Sequence, residues 1–413
     1  MNAEVIAVGT ELLLGQIANT NGQFVSKQLA SLGVNVYKHT VVGDNKRRIQ
    51  ASIEEARQHH DLIIFSGGLG PTEDDLTREA LSEYLNVPLI YDPSALQHVE
   101  SFFASRGKET SEANRKQALV LDGSHVFFNH AGLAAGCAIE HDGTLYVLLP
   151  GPPQELKTMV KRELEPFLAE RNHAGAFFRS RVLRFFGIGE SALEETLKDL
   201  IHEQTNPTIA PLAGQDEVTL RLTITETDED RATDRLNKTE NKILERVGEY
   251  LYGYNEDSLF SKSVEYLQEK NWSVATAESM TGGGLMQQLT EIAGASSVTA
   301  GGMVTYSNEM KIKHLGVNPD LLVEHGAVSE ACAKQMAEGI RDRYESAVGI
   351  SITGVAGPDT LENKAVGTLY IGIALPNQTT VYKRKLTGNR ETIRRRAAKE
   401  ACSCLLLEKK KGD

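Results

Sequence analysis

Thr276-Ala277-Glu278-Ser279-Met280-Thr281-Gly282-Gly283-Gly284 reads as the end of a buried strand that begins at Trp272. The chain then turns through a hydroxyl pair and three glycines into a helix whose apolar positions, Leu285, Met286, Leu289 and Ile292, recur at helical spacing. Strand followed directly by helix is the signature of an α/β fold. A turn of this kind exposes Ser279 and Thr281, and the N–H groups of the helix's first turn are expected to face an anion or oxyanion. No Lys-Ser/Thr follows the glycines as in a P-loop, Ser279 lacks the flanking glycines of a nucleophile elbow, and no lysine stands three residues after it. The stretch is therefore either a hydroxyl-bearing anion site or a Ser/Thr N-cap on a close-packed helix.

Outward from this turn, polar residues cluster at the ends of further strands. Val298–Tyr306 runs into Thr305-Tyr306-Ser307-Asn308-Glu309-Met310-Lys311, where Tyr306 and Lys311 lie five apart rather than at the four-residue spacing that shares a helix face. Ala347–Ile352 ends in Thr353-Gly354-Val355-Ala356-Gly357-Pro358-Asp359, and strands over Val366–Ala374 and Thr380–Lys385 precede Thr387-Gly388-Asn389-Arg390. An arginine at a helix start opposes the helix dipole unless an anion sits there, so Arg390 is a phosphate-ligand candidate. Arg395, Arg396 and the Lys409–Lys411 tail read as a solvated helical face.

Upstream, Val5–Val8, Val34–Val42, Leu62–Phe65, Val126–Phe128 and Leu145–Leu149 read as strands separated by amphipathic helices. Continuous apolar runs imply a mostly parallel sheet covered on both faces, with ligand sites beyond the carboxyl ends of its strands. Those ends carry Gly9-Thr10-Glu11, Gly43-Asp44-Asn45 and Ser66-Gly67-Gly68-Leu69-Gly70-Pro71-Thr72-Glu73-Asp74-Asp75-Leu76-Thr77. These loops should converge on one crevice, with glycines for close phosphate approach and adjacent acids for a divalent cation. Asn129-His130-Ala131-Gly132 and Pro150-Gly151-Pro152-Pro153-Gln154-Glu155 are expected to line it too.

Between these halves the pattern becomes α+β: strand Arg181–Phe186, helix Ser191–Gln204, strands Thr208–Ala210 and Glu217–Thr225, and a charged helix from Asp228 to Tyr250. Val218 to Ile224 alternates strictly, as for a sheet covered on one face. Gly253 to Asp257 reads as a linker, which gives domains over 1–172, 173–252 and 258–413. A length of 413 residues fits several cores, and 40% hydrophobic with 24% charged residues is a globular composition. The net charge of −12 argues against nucleic acid as a partner. Cys137, Cys332, Cys402 and Cys404 have no paired spacing, so neither disulfides nor a zinc site is expected. With no signal peptide and no membrane-length apolar run, a cytoplasmic location is expected.

Three motifs taken together, Gly9-Thr10-Glu11-Leu12-Leu13-Leu14-Gly15, Ser66 to Thr77 and Ala277 to Gly283, with Val304-Thr305-Tyr306-Ser307-Asn308, resemble the CinA (competence/damage-inducible) family over essentially the whole chain. The resemblance implies a first domain similar to the molybdopterin-binding fold, which in some members hydrolyses ADP-ribose with a divalent metal. It further implies a KH-like middle module and a C-terminal domain similar to nicotinamide mononucleotide deamidases, for which no cofactor is expected. On this sequence Ser279 matches the nucleophile, Tyr306 and Lys311 the groups that activate it, and Arg390 a contact to the substrate phosphate. Either of Tyr306 and Lys311 is eligible as base, a lysine needing a pKa lowered by burial or by a cation such as Arg390. Thr281 joins the substrate contacts, and N–H groups of Gly282, Gly283 and Gly284, or of Thr353 and Gly354, would hold the oxyanion. In the first domain Gly67, Gly68, Gly70 and Thr72 would bind substrate, and Asp74, Asp75, Glu11 and Asp44 would hold the metal. A homo-oligomer is expected on the same ground, with a binding-only regulatory role in competence or DNA damage as the competing reading. Two departures stand out. Many relatives read Glu-Ser-Cys-Thr where this chain has Met280, and often Gly-Thr-Ala-Pro-Gly where it has Gly132-Leu133-Ala134-Ala135-Gly136.

Overall fold

The computed structural model describes residues 1–172, 177–214 and 216–412. Contacts gather the chain into two compact units, Met1–Ser180 with Ile224–Arg235, and Arg181–Thr223 with Leu236–Asp413.

In the first unit, strands β1 (Asn2–Val8), β2 (Asn35–Val42), β3 (Leu62–Ser66), β6 (His125–Phe127), β7 (Gly136–His141) and β8 (Thr144–Leu149) form one sheet in the order β2-β1-β3-β8-β7-β6. A separate antiparallel pair joins β4 (Leu89–Tyr91) to β5 (Leu119–Leu121). The first four strands of the sheet are parallel, and β7 and β6 continue it antiparallel. All of β3 and β8 and all but the first residue of β1 are buried, as their unbroken apolar runs require. Ile6, Ile63 and Phe65 face one core with Ile49 and Leu81, and Val5, Leu62 and Ile64 face another with Val25 and Leu156. Three strands were not legible in the sequence: β4 and β5 have three residues each, and β7 ends in the polar pair Glu140-His141.

The middle sheet comprises β9 (Phe177–Phe185), β10 (Thr208–Gly214), β11 (Glu217–Glu226) and β12 (Leu251–Tyr254), ordered β10-β11-β9-β12. Val218, Leu220, Leu222 and Ile224 are buried, as the alternation predicts. The structure departs from the sequence pattern at two places. The helix expected over Ser191–Gln204 is two shorter ones, Glu190–Thr196 and Lys198–His202. Gly253 and Tyr254 are not linker but the end of β12, antiparallel to β9, and Asp257 fastens the exit by accepting the Tyr254 N–H at 2.7 Å.

The last sheet orders β13 (Val274–Glu278), β14 (Thr299–Val304), β15 (Val348–Gly354), β16 (Thr368–Ala374) and β17 (Thr379–Lys385) as β14-β13-β15-β16-β17. β13 lies between β14 and β15 and is parallel to both, so the carboxyl ends of three strands meet beside Glu278. The chain leaves β13 for one side of it and then crosses to the other, which opens a crevice at that end. The helix Arg390–Gly412 packs Ile393, Ala397, Ala401 and Leu405 into the same core. Among the described residues no helix is long and apolar enough to cross a membrane.

Candidate functional site

The backbone past β13 is tied to both flanking strands: the Ser279 N–H donates to Ile352 O at 3.0 Å, and the Thr305 N–H donates to Glu278 O at 2.8 Å. Ser279, 9% exposed, is thus fixed between the ends of β14 and β15. Gly282 (φ 63°) and Gly283 (φ 93°) then turn the chain through left-handed backbone, which a side chain would strain, into the helix Gly284–Thr290.

Lys311 comes from the helix Asn308–Leu315, whose N-cap Ser307 accepts the Met310 N–H at 3.2 Å. One turn into that helix, its side chain runs back to the strand ends and is only 1% exposed. Its Nζ lies 3.3 Å from Ser279 Oγ, 2.9 Å from Thr305 O and 3.2 Å from Tyr306 O. Burial pushes its pKa below the ordinary lysine value. Burial, and not Arg390, supplies the shift.

The structure separates the two residues expected to activate Ser279. Tyr306 is 61% exposed and its hydroxyl accepts from Arg390 Nη2 at 3.2 Å, whereas Ser279 Oγ has Lys311 as its partner. Arg390 also donates to Gly357 O. Tyr306 and Arg390 together form a rim outside the Ser279–Lys311 pair.

Several N–H groups at the start of this helix, Gly282 and Gly284 among those expected to hold an oxyanion, already have partners within the chain. The buried Glu278 carboxylate takes the N–H groups of Leu285 and Met286 at 3.0 and 2.9 Å, so the first turn of the helix serves a side chain of the same chain. Gly282 and Gly284 donate to Ser279 O and Thr281 O. The Thr353 hydroxyl gives its proton to Ala327 O at 2.7 Å. Gly354 lies in β15 directly beneath Met280, where a Cβ would come within 2.5 Å of the sulfur. Gly354 therefore supports the turn from below.

Arg394 carries a role that its arginine-rich context hid: Nε donates to Met280 O at 3.1 Å and Nη2 to Thr281 O at 2.9 Å. The signal was available, because Arg394 is four residues after Arg390 and shares its helix face. Nor are Arg395 and Arg396 simply solvated. Arg395 Nε pairs with Asp216 Oδ2 at 2.9 Å, and Arg396 stands 3.7 Å from the same carboxylate.

In the first unit a cavity of about 580 Å³ is lined by Gly9, Glu11, Asp44, Gly67, Gly68, Gly70, Thr72, Asp74, Asp75 and the Gly151–Pro153 turn. The expected loops do converge. Gly67 has φ 104°, and a Cβ there would lie 2.3 Å from Val8 O, so only glycine lets the loop pass. Asn129 to Gly132 do not line the cavity: Asn129 donates to Ala134 O and Glu155, and His130 pairs with Glu163. Asp44 Oδ2 accepts the Thr10 N–H and hydroxyl, and Asp75 Oδ2 accepts those of Thr72. Among the described residues, no three His, Cys, Asp or Glu side chains gather as a metal cage. The set expected from Asp74, Asp75, Glu11 and Asp44 is thus one crevice but not one coordination shell.

Comparison with known proteins covers all three parts. Residues 256–408 match the profile described as CinA C-terminal domain, 4–170 that of a probable molybdopterin binding domain, and 180–253 that of the damage-inducible protein CinA KH domain. A protein of Geobacillus sp. (strain WCH70) named "Putative competence-damage inducible protein" is 53% identical over 407 residues, covering 98% of each chain. One of the same name from Bacillus cereus (strain AH820) is 52% identical over 401 residues, covering 97% of each. Among solved structures, a CinA protein of unknown function from Thermoplasma acidophilum aligns with 40% of this chain and 97% of its own, at 32% identity and a TM-score of 0.38.

Proposed function

The chain belongs to the CinA (competence-damage inducible) family, and from that premise we propose that its C-terminal domain hydrolyses the carboxamide of a pyridine mononucleotide, nicotinamide mononucleotide, to the acid and ammonia. The observation that carries this reading is the buried Lys311 Nζ 3.3 Å from Ser279 Oγ. A neutral amine has two hydrogens and one lone pair. Thr305 O and Tyr306 O accept the hydrogens, and the lone pair is left for the Ser279 hydroxyl proton. As Ser279 Oγ attacks the amide carbon, Lys311 takes that proton; when the tetrahedral intermediate collapses, Lys311 returns it to the departing ammonia. Lys311 then takes a proton from the water that attacks the acyl-serine carbonyl and returns it to Ser279 Oγ as the ester C–O bond breaks, which releases nicotinate mononucleotide and restores both side chains. Arg390, on the rim with Tyr306, holds the phosphate. No metal or cofactor enters these steps. A purely binding, regulatory role would leave a buried lysine against a serine without a use.

Ser279→Ala tests the reading. Ammonia release should fall by several orders of magnitude while mononucleotide binding, held by Arg390, weakens little. Retention of more than about a tenth of turnover, a loss under roughly 1.4 kcal/mol of barrier, would reduce Ser279 to a cap or substrate contact.

A second reading concerns the first domain, which we propose binds the diphosphate of ADP-ribose in its glycine-lined crevice, as supported by the left-handed Gly67 and Gly68. A resident cation does not fit a crevice whose Asp44 and Asp75 each spend an oxygen on a threonine. A cation arriving with the diphosphate would be held by Asp74 and Glu11 and would neutralise phosphate charge. ADP-ribose hydrolysis, with metal added and with chelator, separates turnover from binding.

A further inference from the structure

Arg394 holds two consecutive carbonyls, those of Met280 and Thr281, immediately after Ser279. Its guanidinium crosses the turn so closely that a Cβ on Gly282 would be 3.3 Å from Nη2. In a trans peptide the C=O and the following N–H lie in one plane and point in opposite directions, so fixing Met280 O toward Arg394 turns the Thr281 N–H away from it. Among the described residues neither that N–H nor the Thr281 hydroxyl has a hydrogen-bond partner, although Thr281 is only 1% exposed. Buried donors are nearly always satisfied, so two unsatisfied donors on one residue, two positions from Ser279, mark the place of a ligand oxygen.

We propose that Arg394 is the positioning residue of the nucleophile turn, and that the Thr281 N–H it orients is a donor to the oxyanion formed when Ser279 adds to the amide. This rests on the reading of Ser279 as nucleophile. The neighbouring N–H groups are occupied: Glu278 takes those of Leu285 and Met286, and Gly282 and Gly284 donate to Ser279 O and Thr281 O. A planar guanidinium can grip two adjacent carbonyls with separate N–H groups in fixed geometry, which a lysine ammonium cannot match.

The test compares Arg394→Met, Arg394→Lys and Arg394→Ala with the parent in the full-length protein, measuring ammonia release, substrate binding and thermal melting. With Arg390 untouched, kcat should fall about 100-fold with KM within about twofold, as expected when a donor is misplaced while ground-state binding survives. Guanidinium ion added to Arg394→Ala should restore part of kcat without changing the melting temperature. The proposal is overturned if kcat of a folded Arg394→Met stays within about threefold of the parent, or if guanidinium raises the melting temperature of Arg394→Ala while leaving its kcat unrestored. Should Arg394→Met fail to fold, Arg394→Lys decides by the same criterion. Ser279→Ala is assayed alongside. If it keeps turnover, the deamidase reading has failed; if it is dead while Arg394→Met is active, only the role of Arg394 has.

Discussion

Replacing Lys311 with methionine keeps an unbranched side chain of similar length in a site that is 1% exposed, and removes the amine. Loss of a general base costs about 10²–10⁴-fold in rate, or roughly 3–5 kcal/mol of barrier. Stability moves by less. Thr305 O and Tyr306 O lose their donor, at about 1 kcal/mol each, but the variant no longer has to bury an ionisable group. The pH dependence separates these effects. The native pKa of Lys311 lies below the 10.5 of an ordinary lysine, so between the two values the unfolded chain binds a proton that the native state does not. The wild-type protein therefore gains stability as pH rises through that window and carries the full penalty below it. Lys311→Met should lack that slope, and urea titrations across alkaline pH would show it. In the wild type kcat/KM should rise with pH to a plateau, with its inflection below 10.5, because the neutral amine is the active form. A variant that keeps more than a tenth of wild-type turnover, or a wild-type rate that falls over this range, would refute the assignment of Lys311 as base.

Other expectations follow from single contacts. Arg390→Gln should raise KM for the mononucleotide about tenfold or more through the lost phosphate partner, with kcat less affected; Tyr306→Phe, which removes only the hydroxyl that Arg390 bonds, should act weakly on both. Gly67→Ala places a Cβ 2.3 Å from Val8 O at φ 104° and should abolish ADP-ribose binding in calorimetry while ammonia release persists. Gly354→Ala drives a Cβ into Met280 Sδ and Leu369, so the melting temperature and deamidation should fall together. Arg395→Ala breaks the half-buried pair with Asp216 and should cost about 1 kcal/mol in urea unfolding without changing KM.

The strand-turn-helix around Ser279 was legible because its signals are local: a buried strand, glycines with left-handed backbone, and a period that changes at the turn. The crevice of the first domain was legible for the same reason. Lys311 could not be told from Tyr306 in sequence, since the choice depends on Ser307 capping a helix that aims Lys311 inward while Tyr306, two residues past the end of β14, is exposed. Glu278 was invisible as a cap because its carboxylate reaches N–H groups seven and eight residues ahead, outside any standard capping spacing. The arginines after Arg390 read as solvated because their acceptors, two backbone carbonyls and Asp216, lie more than a hundred positions away in the chain. The end of β12, Gly253-Tyr254, resembles linker because a four-residue strand has too few positions to show a period.

Met280 follows Ser279 directly, with its sulfur packed against Gly354. The four cysteines are all buried, and burial raises every one of their pKa values, those of Cys402 and Cys404 to about 12. The protein thus presents no thiolate at neutral pH for peroxide or an alkylating agent to find. Thiol-directed reagents are therefore expected to leave the C-terminal site untouched.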